Sequence, residues 1–188
     1  MMRNLRRPVV LVPLVLVVAG VIGVGMYLFQ PWKLFVDTTV NEASPLTASS
    51  APPVAGSSAP ATPTPSSTAA GPVVLATGTF ISHEHDTAGT AQVIRKANGE
   101  HVLRIEQLDT SNGPDLHVWI TDAPVIEGTD GWFVFDDGDY LDLGELKGNK
   151  GSQNYAIPAG ADLSDLTSVS IWCERFSVSF GAAELAHV

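Results

Sequence analysis

The sequence predicts an all-β domain, an antiparallel β-sandwich or small β-barrel, preceded by one N-terminal transmembrane helix and a disordered linker. Three observations predict it. Residues 8–30 form an uncharged apolar run, and residues 43–72 are rich in proline, serine, threonine and alanine. Beyond residue 72, short apolar runs of period 2 alternate with Gly, Pro and Asn punctuation, and no long segment carries the 3.6-residue period of a helix.

The N-terminal segment comes first. Arg3, Arg6 and Arg7 precede the run "PVVLVPLVLVVAGVIGVGMYLFQ". At about 1.5 Å per residue that run spans roughly 34 Å, enough for a hydrocarbon core of about 30 Å. Arginines before the span and acidic chain after it predict a single-pass protein of the cell membrane, with residues 1–7 cytoplasmic and the C-terminal domain extracytoplasmic. Tyr27 and Trp32 lie where an outer aromatic belt would form. The run exceeds the 7–15 residues typical of a signal-peptide core, so retention as a signal-anchor over 8–30 is expected; cleavage near Gly23–Gly25 is the competing outcome, and both lead to export. No cysteine directly follows the run, so a lipoprotein is excluded.

Residues 31–42 mix Trp32, Leu34, Phe35 and Val36 with polar groups, as a juxtamembrane segment would. Residues 43–72 then hold seven prolines and no charged or aromatic side chain. Such chain cannot bury enough apolar surface to offset its entropy, which predicts a linker. As extended proline-rich chain it would reach ~90 Å, a stalk lifting the domain off a membrane.

Charge is uneven. The first 72 residues carry four Arg/Lys against Asp37 and Glu42, or +2; the whole chain is −10, leaving −12 for residues 73–188. That argues against nucleic acid, or an anionic membrane surface, as partner of the domain.

Within 73–188 the expected strands follow in order. "VVLATGTFI" (73–81) opens the domain. "TAQVIRKA" and "HVLRIEQL" flank Asn98-Gly99-Glu100, a hairpin signal because Asn-Gly accepts positive φ. In the second of these, Leu103 and Ile105 share one face, Arg104 and Glu106 the other. "SNGPD" (111–115) is a turn before the strand "LHVWIT" (116–121). "GWFVFDDGDYLDLG" (131–144) is read as a strand, an acidic turn and a further strand. "QNYAIP" (153–158) reads as a strand end, and "DLSDL" (162–166) as one helical turn capped by Asp162.

The last stretch, "SVSIWCERFSVSF" (168–180), holds Cys173, the only cysteine in the chain. Val169, Ile171 and Cys173 share one parity; Phe176, Val178 and Phe180 share the other. A strand of period 2 cannot exchange its buried face without an irregularity, so a bulge or bend is expected at Glu174–Arg175, beside the thiol. Trp172 falls on the opposite face, at the surface or in a second packing layer. A lone cysteine in an exported chain reads as a reactive thiol, a ligand or an intermolecular bridge; the alternative is a small buried hydrophobe. Arg175 is the nearby positive charge that could stabilise a thiolate, opposed by Glu174.

Four segments in register, "GTFISHEHDTAGTAQVI", "LDTSNGPDLHVWIT", "YLDLGELKGNKGSQNYAIP" and "SVSIWCERFSVSFGAAEL", resemble the DM-thirteen (electron transfer DM-thirteen) domain family over about residues 75–186. The resemblance implies a β-barrel or sandwich in an exported protein, with one near-C-terminal cysteine, matched by Cys173. It implies a redox role for that residue, as a bare thiol or as a ligand to a prosthetic group such as haem, and a redox protein as partner.

The residues themselves name no cofactor. A c-type haem needs C-x-x-C-H, which is missing, and the methionines are Met1, Met2 and Met26 only. A haem held by Cys173 would look to His83 or His85 in "SHEHD", which share a strand face. Blue copper would need two histidines with the cysteine, and only His187 follows it. Asp136, Asp137, Asp139 and Asp142 do not fit an EF-hand, so a solvated acidic turn is expected and no metal site is assigned. No nucleophile elbow, zincin motif or P-loop occurs. The reading that results is a membrane-anchored redox or electron-transfer accessory module using Cys173; the alternative is a non-redox binding or adhesion module with a structural cysteine.

Overall fold

The computed structural model describes residues 8–47 and 71–188. The basic N-terminus at 1–7 and most of the linker expected at 43–72 lie outside the described residues. Helix α1 runs Pro8–Phe29 and contains Pro13. Its stretch Leu11–Phe29 has mean hydropathy 2.5 and none of it is buried, so by length and composition it can cross a membrane. Gln30, at φ 41, breaks the helix, and a 3-10 turn over Pro31–Phe35 redirects the chain.

Among the described residues ten strands follow: β1 Thr39–Asn41, β2 Val73–Ser82, β3 Ala88–Arg95, β4 His101–Asp109, β5 Leu116–Thr121, β6 Tyr140–Glu145, β7 Lys150–Ile157, β8 Ser168–Cys173, β9 Val178–Glu184 and β10 Ala186–His187. They form one sheet in the order β1-β7-β4-β3-β2-β9-β8-β5-β6, with β10 beside β2. The fold is mostly β, as the sequence predicts, and the sheet curls into a half-barrel. It is mixed: β1 pairs parallel with β7, Thr39 opposite Lys150, while the other pairs are antiparallel. Alternation fills the concave side with Leu103, Ile105, Val118, Ile120, Val169, Ile171, Cys173 and Phe180.

The hairpin at Asn98-Gly99 forms, with Gly99 at φ 87 and Lys96 N donating to Glu100 O. Three expectations change. Residues 131–135 are not a strand: a 3-10 turn (Thr129–Gly131) and further turns lead to β6, and they fold Phe135 down to full burial on the convex side of the sheet. "DLSDL" makes no helical turn, although Asp162 Oδ1 accepts the Ser164 amide as a cap would. The stretch 168–180 is two strands, not one bulged strand. A turn over Glu174–Ser177, with Ser177 at φ 47, reverses the chain, and that reversal exchanges the apolar phase.

The juxtamembrane residues belong to the sheet. Glu42 O accepts from Arg104 Nη1 at 2.7 Å, and the Glu42 carboxylate accepts from Lys147 Nζ at 2.8 Å and the Asn154 amide at 2.6 Å. Burial pushes the Glu42 carboxyl up, but Lys147, the Asn154 amide and Arg104 outweigh it and hold it below the ordinary range. Since β1 precedes the proline-rich segment and β2 follows it, that segment joins two strands of one sheet. Its length therefore does not set how far the domain stands from the helix, which overturns the stalk expectation.

Candidate functional site

Cys173 ends β8 on the concave side. Its neighbours across the ladders are Leu116 on β5 and Val178 on β9. It is fully buried and unpaired. Burial pushes its thiol up; the polar backbone at Phe176, Arg175 and Asp115 pulls the other way without reversing the shift, and the Asp115 charge adds to it. Cys173 is followed directly by the Glu174–Ser177 turn, whose Phe176 is 43% exposed.

Arg175 follows the thiol by two residues, within the turn. Its guanidinium points away, donating to Leu28 O at 3.0 Å and Tyr27 O at 3.4 Å and lying 3.8 Å from Asp115. Phe29 stacks on Phe176 with ring centroids 5.5 Å apart. The end of α1 is therefore seated on the turn that covers Cys173. A cavity of about 250 Å³ opens at this junction, between Phe29, Lys33, His85, Asn112, Phe176 and Phe180.

The structure separates the two histidines grouped with the cysteine. His83 is buried, with Nδ1 2.9 Å from Ser179 Oγ and Nε2 3.1 Å from Ile126 O. Burial lowers its pKa, only partly offset by the Ile126 bond, so the imidazole is neutral. The Ile126 carbonyl can only accept, so Nε2 carries the hydrogen and Nδ1 accepts from Ser179. Both nitrogens are spent. The ring packs 5.7 Å from Phe135, in a second cluster with Trp119, Ala123, Trp172 and Ala182 on the convex side. His85 lies against Glu84 and over Phe180, ring centroids 3.9 Å apart. His83, with both ring nitrogens engaged, is therefore not free to join Cys173 as a ligand, and the fully buried thiol is not open to haem as it stands.

Trp172 turns out to be a packing layer of its own. Its ring lies 5.2 Å from Trp119, which in turn stacks on Tyr140 at 4.0 Å. Beside them His117, with Asp142 and Glu174, forms a cluster that sequence reading did not assemble. Its members come from β5, β6 and the β8–β9 turn, and only strand pairing brings them together.

A search of curated proteins and a search of solved structures each returned no match. A family profile described as electron transfer DM13 matches residues 79–185, more than half of the chain and all of β3 through β9. The half-barrel with Cys173 at the end of β8 thus has a family, and the chain belongs to the electron transfer DM13 family.

Proposed function

We propose that this protein is a membrane-anchored redox accessory module on the exported side of a cell membrane, with Cys173 as its redox thiol and a redox protein as partner. One observation carries the reading within the family: Cys173, the only cysteine, ends β8 immediately before the Glu174–Ser177 turn, whose Phe176 is 43% exposed. Opening of that turn would bring water or a partner to the sulfur and relieve the burial that holds its pKa up. The apolar helix and the arginines before it support anchoring with the domain outside.

A second reading has its own support. Full burial of Cys173 among Leu116, Val178 and Phe180 suits a structural cysteine in a non-redox binding module.

Thiol labelling of the full chain in detergent, followed through rising denaturant, separates the two. Labelling through a local opening, with little dependence on denaturant, is the expected result. Labelling that tracks global unfolding throughout would assign Cys173 to the core and favour the second reading.

A further inference from the structure

We propose that His117, Asp142 and Glu174 bind a divalent first-row transition metal ion on the convex side of β5, β6 and β8. His117 Nδ1 lies 3.1 Å from Asp142 Oδ2 and 3.7 Å from Glu174 Oε1, and the three donor atoms all fall within 4.8 Å of one another. Donors bound at about 2.1 Å stand roughly 3.0–3.4 Å apart around an octahedral or tetrahedral ion. The first pair already has that spacing, and the second reaches it with a rotation of the exposed Glu174 side chain.

Charge points the same way. Among the described residues neither Asp142 nor Glu174 has a lysine or arginine within ion-pair range, since the Arg175 guanidinium is engaged by Asp115 and the carbonyls of Tyr27 and Leu28. Three carboxylates therefore face one imidazole and one guanidinium, a field that a dication neutralises. The His117 Nε2 lies 3.9 Å from Asp115, outside hydrogen-bond reach but within ion-pair range, and Asp115 is itself paired with Arg175. Asp142 is fixed by the Gly144 amide, which donates to its Oδ1 at 2.8 Å. Gly144, at φ 103, lies in the irregular stretch where two steps of β5, His117 to Trp119, oppose three steps of β6, Glu145 to Asp142. That bulge carries Asp142 toward His117.

An imidazole with two carboxylates favours transition metals over Ca²⁺ or Mg²⁺, and among divalent ions Cu²⁺ binds such a set most tightly. Trp172 is the cross-strand neighbour of His117, and Trp119 that of Asp142. Bound Cu²⁺ therefore quenches their fluorescence.

The test titrates the full chain in detergent with Cu²⁺, read by tryptophan fluorescence and by electron paramagnetic resonance, and with Zn²⁺ by calorimetry. One saturable equivalent is expected, with nitrogen coupling in the Cu²⁺ spectrum and Zn²⁺ competing. His117→Gln should weaken binding at least tenfold and remove the nitrogen coupling. Asp142→Asn and Glu174→Gln should each weaken it by a similar factor, while His101→Gln leaves it unchanged. Circular dichroism confirms that each variant is folded. Equal binding by His117→Gln and the unaltered chain, or no saturable binding, overturns the site. The Cys173→Ser chain should bind as the unaltered one does; binding that vanishes with the thiol also overturns it. The site does not depend on a redox role for Cys173, so failure of either leaves the other standing.

Discussion

Asn149 holds Thr38. Its Oδ1 accepts the Thr38 amide at 2.7 Å, while its Nδ2 donates to Asp37 Oδ1 and to Thr110 O, each at 2.8 Å. The side chain is 1% exposed, so all three partners lose their bonds together when it is removed. This one amide ties the chain leaving α1 to the β4–β5 connection and to the edge where β1 joins β7.

Asn149→Ala should therefore destabilise the protein by about 2 kcal/mol or more, because buried polar partners are orphaned. Hydrogen exchange at the Thr38 amide and a thermal melt check it. Unchanged protection at Thr38 would mean that β1 is held by its ladder alone.

Gly151 and Gly99 make a matched pair. Both have positive φ, 98 and 87, but a Cβ on Gly151 would stand 2.1 Å from Val40 O, whereas one on Gly99 meets nothing within 4 Å. Alanine at Gly99 should cost only the left-handed backbone penalty, about 1–2 kcal/mol. Alanine at Gly151 should cost more and release β1, seen as faster exchange of the Glu42 amide, which donates to Ser152 O. Equal losses at the two positions would argue against a tight β1–β7 contact.

His83 makes stability depend on pH. Its folded pKa lies below the ordinary 6.5, so the unfolded chain binds the proton more readily. The contribution is present above pH 6.5 and is lost as pH falls through the folded value. Melting temperature should drop on acidification below 6.5 partly through this residue, and His83→Gln should flatten that part of the profile. An unaltered slope in the variant would place the dependence elsewhere.

Tyr155 gives an alkaline counterpart. Burial pushes its pKa up to about 12, with the Lys147 amide bond opposing and the Glu42 charge adding. The hydroxyl donates to Gln153 Oε1 and accepts from Lys147 N, so the neutral phenol is the stable form. Its contribution holds below pH 10 and is lost as pH rises toward 12. Ultraviolet titration should show one of the three tyrosines ionising late, and Tyr155→Phe should remove that phase at a cost of about 1–3 kcal/mol.

Much of the fold was legible because it depends on local alternation. Val169, Ile171 and Cys173 face the core together because a pleated strand has period 2, and Asn98-Gly99 turns because those residues accept positive φ. The same rule marked the phase exchange near Glu174 but could not tell a bulge from a reversal, since both change parity. Phe133 and Phe135 share strand-like spacing, yet Phe135 is fully buried in a turn beneath the loop while Phe133 is 55% exposed.

By itself the sequence determined the apolar helix, the all-β class, the inward place of Cys173 and the family. All of these follow from the order of apolar and polar residues along short windows, or from matching segments in register. Tertiary structure alone decided that Arg104 is buried, because Glu42 comes from across the linker to accept its guanidinium hydrogens. It alone turned the Arg175 guanidinium from the thiol to the end of α1, and it alone gathered His117, Asp142 and Glu174. Those contacts join residues 25 to 147 positions apart, or depend on a bulge and a turn, and no local periodicity encodes which distant partner a polar side chain will meet.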